Sequence, residues 1–425
     1  MFLDLALTTA GRNLATLSSP VRANTMAAAA VFQHESVMIT YPRLRLLKGA
    51  HRRLQGGHPW IYSNEVVMDA PTKAIAPGTV VMVESAGGDR LALAHFNPRT
   101  LIAARVLDAP EAVIDGAWFR TRIGDALHLR SRLVAEPFYR LVHAEADGLP
   151  GLIIDRFGDV VVVQPNTAGM DAALPMIVET LDARTIVVRG DSSARTLEGL
   201  PERVETVRGS LSGAIEVREG GVTFLADPAH GQKTGWFFDQ RDNRAFAAGL
   251  VARAPGRVLD LYTHTGGFAV ACAKAGATEV LGVDSSALAL DLAKRAAEAN
   301  GLSARFEKHD VFDFLAANQT QRFDIVIADP PAFVKSRKDM KAGLQGYRKL
   351  ARLTAPLVAP GGFLMIASCS HNASAEDFTA AVVHGVADAG RTGRIVRNAG
   401  AGPDHPVHTH LPESAYLKFL ALALK

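Results

Sequence analysis

The sequence is short of cysteine, of long apolar runs and of repeated segments. Only two cysteines, Cys272 and Cys369, occur among 425 residues, which excludes a disulfide framework and a zinc site built on cysteines. No apolar run reaches the roughly 18 residues of a transmembrane helix, and a charged fraction of 21% with 21 prolines argues against extended disorder. We therefore expect two to three globular domains in the reducing cytoplasm, with neither a membrane nor a metal as partner.

Charge is nearly balanced, and a formal net charge of +3 is weak evidence for a nucleic-acid partner. Residues 36–64 differ, because they contain no acidic residue. They include basic and aromatic side chains at Arg43, Arg45, Lys48, Arg52, Arg53, Tyr41, Trp60 and Tyr62. Such a stretch can neutralise RNA phosphates, although a solvated basic edge strand is the alternative interpretation.

Residues 1–38 contain alanine, serine, threonine and arginine but few acids, a composition that superficially resembles an organellar transit peptide. Met26 and Met38 offer internal starts, and the segment has no clear secretory core. We therefore predict a mis-called or disordered N-terminal extension over 1–38.

Two small domains are predicted next. Residues 39–112 show short apolar runs, such as 79–83 and 90–94 around Gly87-Gly88, which predicts a β-rich domain. Residues 113–215 are predicted to form an α+β domain, preceded by a connecting helix over 111–134. Its predicted elements are strands at 139–143, 152–156 and 160–164, a helix at 170–181 and a strand at 185–189.

Strands and helices alternate over 216–425, which predicts a mostly parallel sheet covered on both faces. Strands are predicted at 257–261, 279–283, 304–308, 323–328, 362–368, 394–397 and 416–424. Helices are predicted at 287–300, ended by Gly301, and at 347–357, ended before Pro360. The fold class is therefore α/β, with a seven-stranded, doubly wound, Rossmann-like C-terminal domain.

The carboxyl ends of the strands in such a sheet form the ligand site. After the first strand come Asp260 and a loop containing Thr265, Gly266, Gly267 and Phe268, where glycines let the backbone approach a ligand at a helix start. We predict that this loop holds a nucleotide cofactor.

Acidic residues also follow the next two strands. Asp284 is placed to bind ribose hydroxyls, and Asp310 lies where an adenine amino group is expected. Each acid could instead merely cap the next helix, but three acids at successive strand ends favour a cofactor. The first loop lacks the G-x-G-x-x-G pattern that holds a diphosphate, so S-adenosylmethionine is favoured over NAD.

The fourth and fifth strands bring Asp329 and Cys369 to the same edge. Pro330 and Pro331 stiffen the loop that carries Asp329. A lone cysteine is usually a small core residue, but this position favours a nucleophile. A thiolate that adds to carbon 6 of a cytosine makes carbon 5 nucleophilic, and Asp329 can support protonation at N3.

Two points of this hypothesis stay open. The thiolate needs a nearby cation, for which Lys335 and Arg337 are candidates, and the sequence names no base for the carbon 5 proton. The competing reaction, methylation of an exocyclic amine, usually places an aromatic directly after Asp-Pro-Pro, whereas Ala332 here precedes Phe333. That reaction also leaves Cys369 unexplained.

Eight segments, in this order, are shared with one family: His58-Pro59-Trp60-Ile61-Tyr62-Ser63, Glu145-Ala146-Asp147-Gly148-Leu149-Pro150-Gly151, His230-Gly231-Gln232-Lys233-Thr234-Gly235, Asp239-Gln240-Arg241, Thr265-Gly266-Gly267-Phe268, Asp329-Pro330-Pro331, Ser368-Cys369-Ser370 and Asp404-His405-Pro406. Over residues 39–425 the chain resembles the bacterial 23S ribosomal RNA 5-methylcytosine methyltransferases that carry an N-terminal PUA domain. The family name supports the reaction more strongly than the particular nucleotide.

The resemblance implies a PUA domain, a central strand-strand-helix-strand-strand domain and a class I methyltransferase domain. It implies Cys369 as nucleophile and Asp329 as its partner, and a cofactor pocket lined by Asp260, Gly266, Asp284 and Asp310, with Gln240 as a further contact. It also implies that Arg52, Arg53 and Trp60 bind RNA. Lys233 and Lys335 are added as RNA-binding candidates, although Lys233 could instead close the cofactor pocket or belong to a structural turn. Asp329 and Pro330 are added as cofactor neighbours.

Two alternatives remain for other features. His405, His408 and His410 could suggest a metal, but a loop packed over the active site is favoured. The fold could also serve as an RNA-binding assembly factor with a vestigial pocket. The joint presence of Asp284, Asp329 and Cys369 argues against that alternative. The sequence leaves open whether the chain forms a homodimer.

Overall fold

The computed structural model describes residues 40–425, so the prediction for residues 1–38 lies outside the described residues. Nowhere in this described part is a helix both long enough and apolar enough to cross a bilayer.

The N-terminal region is a five-stranded sheet with the order β1-β3-β4-β5-β2. Its elements are β1 (Arg43–Arg45), α1 (His51–Gln55), β2 (Trp60–Tyr62), α2 (Ala70–Ala74), β3 (Thr79–Glu84), β4 (Arg90–Phe96) and β5 (Ile102–Asp108). The antiparallel pair β3–β4 flanks the predicted glycine turn. The β-rich prediction for this region is confirmed.

The middle region is a second five-stranded sheet, ordered β10-β9-β8-β7-β6. Its elements are α3 (Gly116–Leu133), β6 (Phe138–His143), β7 (Leu152–Phe157), β8 (Val160–Pro165), α4 (Ala168–Ala172), α5 (Leu174–Thr180), β9 (Thr185–Gly190), α6 (Ser193–Glu198) and β10 (Arg203–Arg208). The helix predicted at 170–181 is two helices, because Pro175 in the first turn of α5 lacks the N–H that a continuous helix needs. Sequence periodicity missed α6 and β10.

A hairpin of β11 (Ile215–Glu219) and β12 (Val222–Ala226) leads into the C-terminal region. That region contains α7 (Arg241–Arg253), β13 (Arg257–Leu261), α8 (Gly267–Lys274), β14 (Glu279–Asp284), α9 (Ala287–Ala299), β15 (Arg305–Lys308), α10 (Val311–Ala317), β16 (Phe323–Ala328), α11 (Met340–Thr354), β17 (Val358–Ser368), α12 (Ala375–Asp388), β18 (Gly393–Ala399) and β19 (Lys418–Leu424).

The seven-stranded prediction is confirmed, with the order β15-β14-β13-β16-β17-β19-β18. β13 to β17 are parallel, and β19 lies antiparallel between β17 and β18. The order reverses at β13, so the crevice beside its carboxyl end is where an open α/β sheet holds its ligand. Some predictions were wrong in extent. The helix expected at 347–357 spans Met340–Thr354, because two glycines interrupt its apolar period, and the strands expected at 362–368 and 416–424 are Val358–Ser368 and Lys418–Leu424.

Buried side-chain contacts join the three regions to one another. Phe157 of the middle sheet shares an apolar core with Phe224 and Trp236 on the approach to the C-terminal sheet. Buried Glu198 of the middle region accepts hydrogen bonds from Asn97 Nδ2 and Arg105 Nη1 of the N-terminal sheet, each at 2.8 Å. Losing Arg105 would leave the buried Glu198 carboxylate without its counter-charge, so these contacts fix the N-terminal sheet against the middle region.

Candidate active site and cofactor pocket

The loop after β13 is folded tightly around Asp260. One carboxylate oxygen of Asp260 accepts hydrogen bonds from Thr263 Oγ1 at 2.6 Å and from the Ala269 N–H at 2.9 Å. The other oxygen is buried and has no partner among the described residues, and the same holds for Thr265 Oγ1. Burial raises the pKa of Asp260 to about 7. Buried polar atoms without partners at a strand end are typical of a ligand site.

The next two acids stand where the sequence places them, at the ends of β14 and β15. Asp284 accepts hydrogen bonds from the backbone N–H groups of His264 at 3.0 Å and Ser286 at 2.8 Å. Asp310 is exposed and caps α10 through the Phe312 N–H at 2.8 Å. Capping therefore occurs at Asp310, and its contact with adenine stays a prediction.

Asp329 follows β16 and is held by an amide side chain. Gln240 Nε2 donates to Asp329 Oδ2 at 2.9 Å, and Gln240 Oε1 accepts from Asn243 Nδ2 at 2.7 Å. Burial and the negative charge of Asp239 raise the pKa of Asp329 to about 7. Near neutral pH this carboxyl can therefore act as a proton donor, which an ordinary aspartate cannot do.

Cys369 lies between two serines that tie its loop to the Asp329 loop. The hydroxyls of Ser368 and Ser370 both lie 2.8 Å from Tyr347 Oη, and the Val334 N–H donates to Ser370 Oγ at 3.1 Å. The prediction that the two strand-end segments are spatial neighbours is confirmed. Ser368 and Ser370 are fully buried, whereas the thiol between them is partly exposed.

The charges around Cys369 differ from those that the sequence indicated. Burial raises the pKa of the Cys369 thiol, and the charge of Asp329 adds to this effect. Lys233 opposes both effects. Lys418, whose Nζ donates to the Ser370 carbonyl at 2.6 Å, is a second cation coupled to the thiol, whereas the Lys335 side chain is exposed to solvent. Lys233 has a left-handed backbone (φ 51°), an uncommon conformation for a residue with a side chain, and its Nζ lies 4.8 Å from the Phe237 ring centre.

A cavity of about 540 Å³ opens beside this edge, and all three regions of the chain line it. Its walls carry aromatic, cationic and acidic side chains, among them Trp60, Arg140, His143, Glu145, Lys233, Phe237, Asp239, Arg337, His371, Asn372 and Tyr416. Trp60 Nε1 donates to Glu145 Oε1 at 2.7 Å, which fixes the indole at the junction. The size and lining suit a single planar base with its attached sugar.

Sequence reasoning missed a polar cluster on one wall of this cavity. Tyr416 Oη donates to Asp239 Oδ2, and the His371 ring stacks on the Tyr416 ring at 5.0 Å. Asp239 lies in one of the eight shared segments but had no predicted role, and no local signal marks Tyr416 or His371. They meet because β17 and β19 are neighbours in the sheet.

The structure places the predicted RNA-binding residues in different surroundings. Trp60 and Lys233 line the cavity, and Arg52 and Lys335 are exposed. Arg53 is engaged within its own domain, since it pairs with Glu65 and lies over the Tyr62 ring at 4.4 Å. Much of its charge is therefore neutralised, and RNA contact by this set stays a prediction.

His405, His408 and His410, near the C-terminus, do not form one cluster. His405 is buried beside Asp404, with Nδ1 and Oδ1 3.0 Å apart, and its ring contacts His143. His408 and His410 lie on the outer part of the same loop. Among residues 40–425, no group of three or more His, Cys, Asp or Glu side chains is arranged to hold a metal.

Comparison with known proteins identifies the family. Residues 44–109 match a PUA-like domain, and residues 189–406, more than half of the chain, match an S-adenosylmethionine-dependent methyltransferase domain. "Ribosomal RNA large subunit methyltransferase I" of Cronobacter sakazakii is 36% identical over 397 residues, covering 89% of this chain and 98% of that protein. The chain belongs to the ribosomal RNA large subunit methyltransferase I family.

Solved structures agree on the fold of this methyltransferase. A SAM-dependent methyltransferase from Streptococcus mutans has a TM-score of 0.75 at 21% identity, covering 90% of this chain and all of that one. A second methyltransferase structure, which holds S-adenosylhomocysteine, has a TM-score of 0.75 at 20% identity, covering 91% of this chain and all of that one. The PUA-like and class I methyltransferase assignments are confirmed.

S-adenosylmethionine is the cofactor of the methyltransferase, and the first loop fits it. The partnerless atoms of Asp260 and Thr265 offer hydrogen bonds to a polar ligand, and Gly266 at φ 81° brings backbone close to it at the start of α8. Gly267, the first residue of α8, and Pro330, which follows β16, lie at the same carboxyl edge of the sheet. The buried Phe268 ring packs toward Phe419, so only its backbone is available to a ligand.

Replacing Gly266 by alanine is expected to weaken both folding and cofactor binding. A Cβ there would lie 2.9 Å from Ala293 Cβ, in a left-handed backbone that costs about 1–2 kcal/mol for a non-glycine residue. Overpacking adds about 1–3 kcal/mol. Gly276→Ala is the matched control, because Gly276 has φ 98° but open space around it. Denaturant unfolding and calorimetric titration of S-adenosylmethionine check this, and equal losses in both variants would contradict it.

Proposed function

We propose that the methyltransferase transfers a methyl group to carbon 5 of a cytosine in large-subunit ribosomal RNA. The relatives named as ribosomal RNA large subunit methyltransferases support the substrate class. The observation that carries the reaction is that the Cys369 loop is hydrogen-bonded to the Asp329 loop, with the negative charge of Asp329 acting on the thiol.

The chemistry of cytosine explains why both residues are needed. Carbon 5 is a poor nucleophile until a group adds at carbon 6, and the Cys369 thiolate can form that bond. Asp329, with a pKa of about 7, can then donate to N3 as electron density moves toward it. When bound, S-adenosylmethionine supplies an electrophilic methyl group. A protonated acid matches cytosine better than uracil, because N3 of uracil already carries a hydrogen.

The cavity supports an RNA substrate whose target base leaves its stack. Within a helix, the faces of carbon 5 and carbon 6 are covered, so the base must be unpaired or flipped out, at a cost of a few kcal/mol. The rings of Trp60, Phe237 and Tyr416 offer apolar contact. Lys233 and the exposed Arg337 offer positive charge for the RNA backbone. Entry of the base by this route places it next to the Cys369 loop.

The surroundings of Phe333 argue against methylation of an exocyclic amine. That reaction uses an aromatic ring after Asp-Pro-Pro to stack on the target base. Here the Phe333 ring packs against Tyr347 at 4.8 Å and against Gly346 of α11.

An RNA-binding assembly factor with a vestigial pocket is a further alternative, and it predicts no binding of S-adenosylmethionine.

Bisulfite mapping of ribosomal RNA tests the proposed function. We expect a strain lacking the gene to lose methylation at one cytosine of large-subunit RNA that is methylated in the parent strain. The wild-type gene should restore the mark, and a Cys369→Ala gene expressed at the same level should not. An unchanged methylation map would overturn the ribosomal assignment, and restoration by Cys369→Ala would overturn the thiol mechanism.

A further inference from the structure

The proposed reaction needs a base in addition to Cys369 and Asp329. Once carbon 5 carries the new methyl group, it still carries its original hydrogen. Cys369 is then bonded to carbon 6, and Asp329 is engaged at N3, so neither can remove that proton. A third group near Cys369 must do so, and its assignment rests on the proposed function.

Few side chains of the cavity can serve. Glu145 is occupied by the Trp60 indole and lies near Arg105, across the domain junction from Cys369. His371 is at the exposed rim, with its ring face against Tyr416. Burial raises the pKa of Tyr416 well above its ordinary value, so its hydroxyl stays protonated. Glu145 and Tyr416 are therefore poor bases for a proton at the thiol edge, whereas His371 and Glu413 lie at the exposed part of the cavity lining.

Asp239 differs from them in its geometry. It is 95% buried, it lines the cavity, and its Oδ2 is fixed by the Tyr416 hydroxyl. Its Oδ1 is buried and has no hydrogen-bond partner among the described residues. A carboxylate oxygen that is desolvated and unpaired is a site at which a proton can be accepted.

Asp239 lies close to Asp329 and Cys369, because it directly precedes the residue that holds Asp329. The next residue, Gln240, donates to Asp329 at 2.9 Å, so consecutive side chains reach the acid and the cavity. The negative charge of Asp239 raises the pKa values of both Asp329 and Cys369, as expected of close neighbours. Burial is the largest single effect on Asp239 and opposes its ionisation. The charges of Lys233 and Arg140, the neighbouring His405 and the hydrogen bond from Tyr416 together outweigh burial and hold the pKa of Asp239 below the usual range.

We propose that Asp239 is the base that removes the carbon 5 proton, with Tyr416 as its positioning residue. Oδ1 of Asp239 accepts the proton, and the electron pair of the C5–H bond forms the C5=C6 double bond. The pair of the C6–Sγ bond leaves with Cys369 as thiolate, and N3 returns its proton to Asp329. Asp239 then releases the proton to water through the cavity.

Asp239→Asn is the test, in single-turnover reactions with RNA and cofactor labelled in the methyl group. The amide keeps the size and can still accept from Tyr416, but it cannot take the proton. We expect about one methyl group per enzyme to be transferred and to remain in a denaturation-resistant Cys369–RNA adduct, with release slowed at least about 100-fold. Release at the wild-type rate would overturn the proposal. Loss of the adduct with cofactor binding intact would also overturn it.

Two control variants separate loss of the base from a general loss of activity. Asp242→Asn makes the same change at an exposed position outside the cavity and should release product normally. Tyr416→Phe should accumulate the same adduct, with release slowed less than in Asp239→Asn, because the carboxylate remains. If wild-type enzyme forms no Cys369-dependent adduct with RNA containing 5-fluorocytosine, the proposed function itself fails. If it does and Asp239→Asn releases normally, only the base assignment fails.

Discussion

Replacing Cys369 by alanine is expected to lower methylation of cytosine roughly a thousandfold or more, while S-adenosylmethionine still binds. The loss is large because the thiolate forms the bond that makes carbon 5 nucleophilic, and no neighbouring group can replace it. Alanine fits the site without strain, since Cys369 is only partly buried and its loop is held by the flanking serines. Rates of methyl transfer and calorimetric binding of the cofactor measure the two effects separately.

The second cysteine provides the matched control for this substitution. Cys272 is fully buried in the apolar core on α8, and burial raises the pKa of its thiol, so it is inert. Cys272→Ala should keep both turnover and the covalent adduct with 5-fluorocytosine RNA, at a modest cost in stability. Turnover by Cys369→Ala within tenfold of wild type would contradict the nucleophilic role.

Asp329→Asn is expected to lower kcat/KM at least about 100-fold at pH 7 and to change the shape of its pH profile. The reactive form needs a protonated Asp329 and an ionised Cys369. With the pKa of Asp329 at about 7 and that of Cys369 raised above its ordinary value, log kcat/KM should rise to about pH 7 and then level off. It should fall only above the pKa of the thiol, where Asp329 is fully ionised.

The variant removes the break near pH 7, because an amide stays neutral at all pH values. Its log kcat/KM should instead continue to rise with pH until the thiol is ionised. Initial rates between pH 5.5 and 10 distinguish Asp329 from Asp260, whose pKa burial also raises to about 7. A break near pH 7 that persists in Asp329→Asn would assign it to Asp260 and would remove Asp329 from its role as proton donor.

The strands of the catalytic sheet were largely predictable because their signal is local. The predictions for β13 and β16 match the observed bounds, since each is a short apolar run closed by polar residues. Elements with mixed signals were harder. Helix α12 was not predicted, and the start of α11 was missed because Gly343 and Gly346 interrupt its apolar period.

The same contrast holds for the site. The strand-end positions of Asp260, Asp329 and Cys369 could be predicted from sequence, since parallel strands bring their carboxyl ends to one edge of the sheet. Tyr416 and His371 could not, because each stands in a loop where no periodicity constrains its direction. The polar cluster around Asp239 depends on the pairing of β17 with β19, which the order of elements does not reveal.

The sequence by itself determined the fold class, the cofactor and the proximity of the loops that carry Asp329 and Cys369, because these depend on period, strand ends and the absence of a diphosphate loop. Only the tertiary structure decided which charges act on the Cys369 thiol, where Lys233 rather than Lys335 is a neighbouring cation. It also decided that Oδ1 of Asp239 has no hydrogen-bond partner among the described residues. Desolvation and Coulomb interactions depend on distances between segments remote in the chain, and packing alone sets those distances.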